Sequence, residues 1–216
     1  MPLHVLPAPA PALRSVLAAL STPSAVREDR LPALRSVQGP VSPECPLPVH
    51  VLDQVDAYAT GNTDTRTRLL GWRFLLRGDG ATVAAAETLL TPDGWSFSHF
   101  FEGPYLASTE LALRQAESSA TPYQPRLLSV PALYMLTLWL RTDHYTNNAT
   151  HADGADGTAD TSAADASDAR LAPADLLIPL APAPPGITAH RPYRAAELLP
   201  VMTLRLTPAP LLGSPA

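Results

Sequence analysis

Between Arg66 and Glu117 the chain carries its clearest local instructions: three alternating apolar runs, two tight-turn signals and one helical run. Arg68 to Arg77 places Trp72, Phe74 and Leu76 on one side of a strand and Arg73, Leu75 and Arg77 on the other. Gly78-Asp79-Gly80 returns the chain, because glycine reaches positive φ without a side-chain clash. A third strand over Thr82–Thr91 meets Pro92-Asp93-Gly94, where proline presets φ and glycine accepts the left-handed position. The fourth, Trp95 to Phe101, is expected to aim Trp95, Phe97, His99 and Phe101 at one face, with Ser96 and Ser98 on the other. Gly103-Pro104 then opens a helix whose buried stripe is Leu106, Thr109, Leu113 and Ala116. Glu110 and Arg114 fall one turn apart on its solvated side.

Proline marks the surroundings of this meander. Residues 1–48 and 173–216 hold ten prolines each, whereas residues 49–121 hold only Pro92 and Pro104. Proline removes ladder donors and breaks helix interiors, so the expected layout is a central domain over 49–206 with Pro-rich ends. The flank 1–48 carries one short amphipathic helix, read from Leu13, Val16, Leu17 and Leu20, and 207–216 is a tail. The hexamer Pro-Ala-Leu-Arg-Ser-Val occurs at 11–16 and again at 32–37. Chance recurrence in a biased composition is a simpler account of it than a duplicated docking motif.

The expected domain opens with a strand at 49–55, built on Val49, Val51 and Val55. Leu127 to Leu140 is apolar on both parities; a strand buried on both faces is preferred over a helix with Pro131 at its first turn. Its partner is Asp175 to Leu180, so the pair reads as a hairpin with a very long connection. That connection, 143–172, is rich in Asp, Ala, Thr and Gly and is read as a disordered acidic insertion. A last helix fits Pro192 to Leu206, kinked at Pro200. The fold class is therefore α+β: a largely antiparallel sheet of about six strands, a meander plus a later hairpin, covered by two or three helices.

Charge narrows the partners. Of the net charge of -5, all lies in residues 143–170, with six acids against Arg170; the other 14 acids and 14 arginines cancel. A neutral body lacks the electrostatic footprint of a nucleic-acid binder and the basic patch that anionic lipid attracts. There is no lysine, which excludes Schiff-base chemistry and the phosphate-binding Gly-x-x-x-x-Gly-Lys loop, and which fits a GC-rich bacterial genome. Cys45 is the single cysteine, so no intrachain disulfide and no Cys-based zinc cluster can form. The N-terminus has no basic segment ahead of an apolar core, and a cytoplasmic protein is expected.

No reaction signature sits on this framework. The weak catalytic candidates are His99, Glu102 and Tyr105 at the strand-to-helix junction, able in principle to supply a base, an acid and a hydrogen-bond donor. The plainer reading makes His99 a satisfied core histidine and Glu102 a carboxylate at a helix N-terminus. No cofactor and no metal site is expected. The leading functional expectation is a non-catalytic bacterial accessory or protein-interaction protein whose partner is another protein. The alternative is a small-ligand module or enzyme with a pocket between sheet and helix near His99, lined also by Trp72, Trp95, Phe97 and Tyr134.

Overall fold

Eight strands form one mixed sheet in the order β10-β9-β7-β6-β1-β3-β4-β5, antiparallel throughout except where β1 runs parallel to β6. The computed structural model describes residues 3–22, 31–52, 65–142 and 169–206. The strands are β1 (Ser42–Val51), β3 (Arg68–Gly78), β4 (Ala81–Thr91), β5 (Gly94–Phe101), β6 (Tyr123–Val130), β7 (Met135–Thr142), β9 (Leu176–Pro179) and β10 (Tyr193–Arg194). A separate pair joins β2 (Thr65–Arg66) to β8 (Arg170–Leu171). Four helices are described: α1 (Ala10–Leu20), α2 (Pro32–Ser36), α3 (Pro104–Glu117) and α4 (Ala195–Leu206). The fold is α+β, as the alternation of residues 66–117 implies.

The helices cover both faces. On one, Leu106, Ala112, Leu113 and Ala116 of α3 pack against Leu47, Leu75, Leu127 and Leu138. On the other, α1 and α2 bury Ala12, Val16, Ala19 and Leu34 against Trp72, Phe74 and Leu76. Farther along that face α4 brings Ala195, Leu198 and Met202 against Leu128, Trp139 and Leu177. Pro200 lies inside α4 on its exposed side. That helix starts at Ala195 rather than Pro192, because Tyr193 and Arg194 pair with β9 instead.

The meander follows its turn chemistry. Asp79 and Gly80 both have positive φ, 51° and 80°, which suits a two-residue hairpin to the strands' twist. Gly94 has φ 108°, and a side chain added there would meet nothing within 4 Å. Backbone strain alone therefore sets the cost of substitution. Gly94→Val should lower stability by roughly 1–3 kcal/mol, and Gly94→Asn by less. A thermal melt of Gly94→Val that matches the parent would contradict the turn.

Several segments differ from expectation. The first strand begins at Ser42, inside the Pro-rich stretch, and residues 53–55 of the expected strand lie outside the described residues. Prolines 43, 46 and 48 are tolerated there because β6 joins β1 only at Val49–Val51, so the earlier half has a ladder only to β3. A register shift between Glu44 and Leu47 absorbs Cys45, whose φ is 44°. The single strand read over Leu127–Leu140 is two: Pro131–Leu133 forms one 3-10 turn, Tyr134 takes a left-handed conformation, and β6 and β7 pair across it. The expected partnership with residues 175–180 is present as β7–β9. Of the acidic insertion, 143–168 lie outside the described residues, as does the 207–216 tail. Residues 169–172 are ordered, with Ala169 and Leu171 buried and β8 paired to β2.

The repeated hexamers share one local structure. The first lies in the opening turns of α1 and the second makes up α2, with Val37 extended just past its end; Pro11 and Pro32 sit at early positions where the missing N–H is harmless. In each, the serine hydroxyl donates to the alanine carbonyl three residues back: Ser15 to Ala12 and Ser36 to Ala33, both at 2.8 Å. Both helices pack into the same apolar cluster, so the repeat serves the core.

Candidate functional site

The three residues at the β5–α3 junction are each engaged elsewhere. His99 is exposed, its Nδ1 3.0 Å from Ser98 Oγ and its ring 5.6 Å from that of Phe101. The Glu102 carboxylate accepts the Ala33 N–H at 3.2 Å and the Leu34 N–H at 2.9 Å. It does sit at a helix N-terminus, but that of α2, 68 residues earlier in sequence, rather than of α3. The Tyr105 hydroxyl lies 3.1 Å from the Tyr134 carbonyl oxygen and 3.3 Å from that of Pro182, tying α3 to two loops. Among the described residues no hydrogen bond joins His99, Glu102 and Tyr105.

His99 does not lie on the face of Trp95 and Phe97. The β4–β5 register runs Thr88↔Phe97 and then Glu87↔His99, so Ser98 is an extra residue and the alternation inverts. Trp95, Phe97 and Phe100 therefore pack under α1, while Phe101 faces α3, with the Arg73 guanidinium 4.6 Å above its ring. Arg73 is bound in turn to Glu87. Tyr134 is 89% exposed. Trp72, Trp95, Phe97, His99 and Tyr134 thus do not line one cavity.

The polar cluster that the fold does assemble lies elsewhere. His50, Thr67, Gln124 and Arg126 are buried together under the β1–β6 junction. Arg126 donates to Gln124 Oε1 through Nε at 3.2 Å and Nη2 at 2.6 Å, and its Nη1 lies 3.3 Å from His50 Nε2. Thr67 Oγ1 donates to the Ala169 carbonyl at 2.6 Å and lies 3.2 Å from His50 Nδ1. An arginine can only donate, so Nε2 accepts and the imidazole proton is on Nδ1, directed at Thr67. The chain of donors is complete from Arg126 to Ala169. Trp139 borders it, 5.3 Å from the His50 ring, and donates through Nε1 to Asp175 Oδ2 at 2.8 Å. Asp175 also accepts the Ala172 N–H, and burial raises its pKa above the ordinary value.

Burial first, then the charges of Arg126 and Arg141, push His50 down from 6.5 to about 3. A neutral, inaccessible and fully bonded imidazole is a structural element rather than a proton shuttle. Its consequence is a pH dependence. Between pH 6.5 and about 3 the unfolded chain takes up a proton at this residue that the folded protein refuses, so stability falls with pH across that window. His50→Gln should flatten the fall, as read from urea midpoints against pH. Asp175, with a raised pKa, contributes with the opposite sign and is common to both proteins. Equal slopes for the two would show that His50 is accessible to solvent protons in the folded state.

Parity held part of this signal: Gln124, Arg126 and Leu128 alternate onto one face of β6. His50, from β1, and Thr67 and Ala169, beside the β2–β8 pair, lie too far from Arg126 in sequence to be inferred. Cys45 is no candidate nucleophile, since burial, Glu117 and Glu44 push its thiol up to about 11. Among the described residues no group of three or more His, Cys, Asp or Glu is placed to hold a metal ion, and no helix is long and apolar enough to cross a membrane.

What remains chemically available is an edge. β5 ends the sheet, and among the described residues no strand pairs with its outer side. Its eight residues, Gly94 to Phe101, include no proline, acid or arginine. Native edges are usually blunted by such residues, by bulges or by short length; the extra residue at Ser98 is the one such device on β5, and it leaves residues 94–97 regular. The opposite edge is so blunted: β10 is two residues long and carries Arg194. Beside β5 runs an apolar rim: Leu13, Leu20, Trp95 and Phe97 are half-buried in the cluster under α1, and Leu17 and Leu90 are 44% and 49% exposed.

Compared with known proteins, the chain matches no family model, no curated protein and no solved structure.

Proposed function

We propose that this chain is a non-catalytic protein-interaction module that accepts a strand from a protein partner along β5. The observation that carries the reading is an uncharged, proline-free edge, unpaired among the described residues, with its apolar rim, since backbone groups on such an edge supply affinity and the flanking side chains supply selectivity. The cap, network and loop contacts that engage Glu102, His50 and Tyr105 favour a scaffold over a reaction centre. The setting we propose is a bacterial cytoplasm, which the lysine-free composition supports for the source and the single cysteine, without a disulfide partner in the chain, for the compartment.

Ser96 and Ser98 are exposed on this edge, so lysine at both adds charge without entering the core. A tagged wild-type chain expressed in its host is expected to retain a protein that the Ser96→Lys/Ser98→Lys variant releases, while Arg194→Glu on the opposite edge retains it. Identical retention by the folded β5 variant would overturn the reading.

A further inference from the structure

Resting on that strand-addition reading, we infer that the partner on β5 is a second copy of this chain, joined by an antiparallel β5–β5 contact about a two-fold axis. Three features converge on it. First, the free backbone groups can be assigned. Thr91 and Gly94 close a two-residue hairpin and therefore form the hydrogen-bonded pair; the pattern alternates as far as the extra residue at Ser98, so Ser96 bonds inward to Leu89 while the N–H and C=O of Trp95 and Phe97 point outward. An edge presenting these groups at alternate residues is complementary to itself when rotated by 180°.

Second, the two edges are unequal. Head-to-tail stacking would need β10 to receive β5, and β10 offers only two residues, one of them Arg194, before α4 begins. An isologous contact uses β5 twice and closes. With no formal charge on the strand, two copies meet without repulsion, whereas a charged segment would find no counter-charge on it.

Third, a two-fold axis normal to the sheet keeps each face on its own side. The α1 layers of the two copies then meet, and Leu17 and Leu90 of each approach the partner rim. An edge ladder alone is narrow; this rim widens the contact toward the roughly 1,600 Å² typical of a specific interface.

The test is a charge swap at Ser96, whose exposed side chain lies between the two outward-facing residues. By sedimentation at micromolar concentration the wild type should have twice the 22.9 kDa chain mass. Ser96→Lys alone and Ser96→Glu alone should each fall to the single-chain mass, since like charges then face each other across the axis. Mixed in equal amounts, the two should recover the double mass. Hydrogen exchange on the wild type needs no variant: the Trp95 and Phe97 amides should become more protected as concentration rises. A monomeric wild type, or a mixture that stays monomeric, overturns the second copy as partner. If that monomer still retains another protein through an edge that Ser96→Lys/Ser98→Lys disrupts, the interaction reading stands and only the occupant is wrong. A dimer indifferent to both charges, with concentration-independent exchange at Trp95 and Phe97, removes β5 from both.

Discussion

Gly71→Ala is expected to lower stability by about 3 kcal/mol or more, a loss of about 6–12 °C in melting temperature for a chain of this size. Gly71 is in β3, opposite Leu89 of β4 and next to the Trp72–Thr88 pair. A methyl group on its Cα would stand 1.8 Å from the Thr88 carbonyl oxygen and 2.9 Å from its carbonyl carbon. Both atoms are backbone, so no rotamer change relieves the overlap. The strands would have to separate where Thr88 Oγ1 also reaches the Trp72 carbonyl, and where β1 and β3 already shift register between Val49 and His50. Gly71 is not among the residues with positive φ, so the cost is contact alone. Gly80→Ala is the control: its φ is 80°, nothing lies within 4 Å, and only backbone strain should appear. Calorimetry of the two variants separates the causes. A Gly71→Ala protein melting with the parent would mean that β3 and β4 are farther apart than this packing requires.

What was legible in the sequence follows the range of the forces involved. The β3–β4–β5 meander and α3 were readable because Asp79-Gly80, Pro92-Asp93-Gly94 and Gly103-Pro104 impose their turns locally. The side on which Trp72, Phe74 and Leu76 fall was readable for the same reason, since no bulge separates them. One extra residue at Ser98 was enough to turn His99 away from its expected face, and nothing in Phe97-Ser98-His99 announces it. Strand β1 was hidden by its prolines. They read as breakers until the one-sided pairing of residues 42–48 is known, and that pairing is set by where β6 arrives. Sequence places Glu102 at a helix N-terminus but points to that of the neighbouring α3, because the helix whose N–H groups it accepts is brought there by tertiary packing. The same limit applies to the outer side of β5, unpaired among the described residues: sequence marks a strand, and only the sheet order makes it an edge.

Arg126→Met should be the most damaging change in the buried polar cluster, lowering stability by about 3 kcal/mol, because buried acceptors lose their donors. Methionine replaces the arginine stem with similar apolar bulk, so the loss reports the polar contacts more than a cavity. Two acceptors are affected. Gln124 Oε1 loses both guanidinium bonds, and His50 Nε2 loses its donor. The imidazole cannot simply change tautomer, because Thr67 already directs its hydroxyl proton to Ala169. The guanidinium also lies 5.5 Å from the Trp139 ring, a contact methionine weakens. Arg126→Lys should recover only part of the loss, since an ammonium cannot reproduce the fork that grips Gln124. The double variant Arg126→Met/Gln124→Met should be more stable than Arg126→Met alone, because it removes an orphaned acceptor together with its donor. Urea denaturation of the three proteins tests this order. A second readout is independent of the loss itself: Arg126 is one of the charges holding His50 low, so in Arg126→Met the acid-side fall in stability should end at a higher pH than in the wild type. If Arg126→Met loses stability with the acid profile unmoved, its role is packing alone. If the double variant is the less stable one, Gln124 has partners that this donor chain does not include.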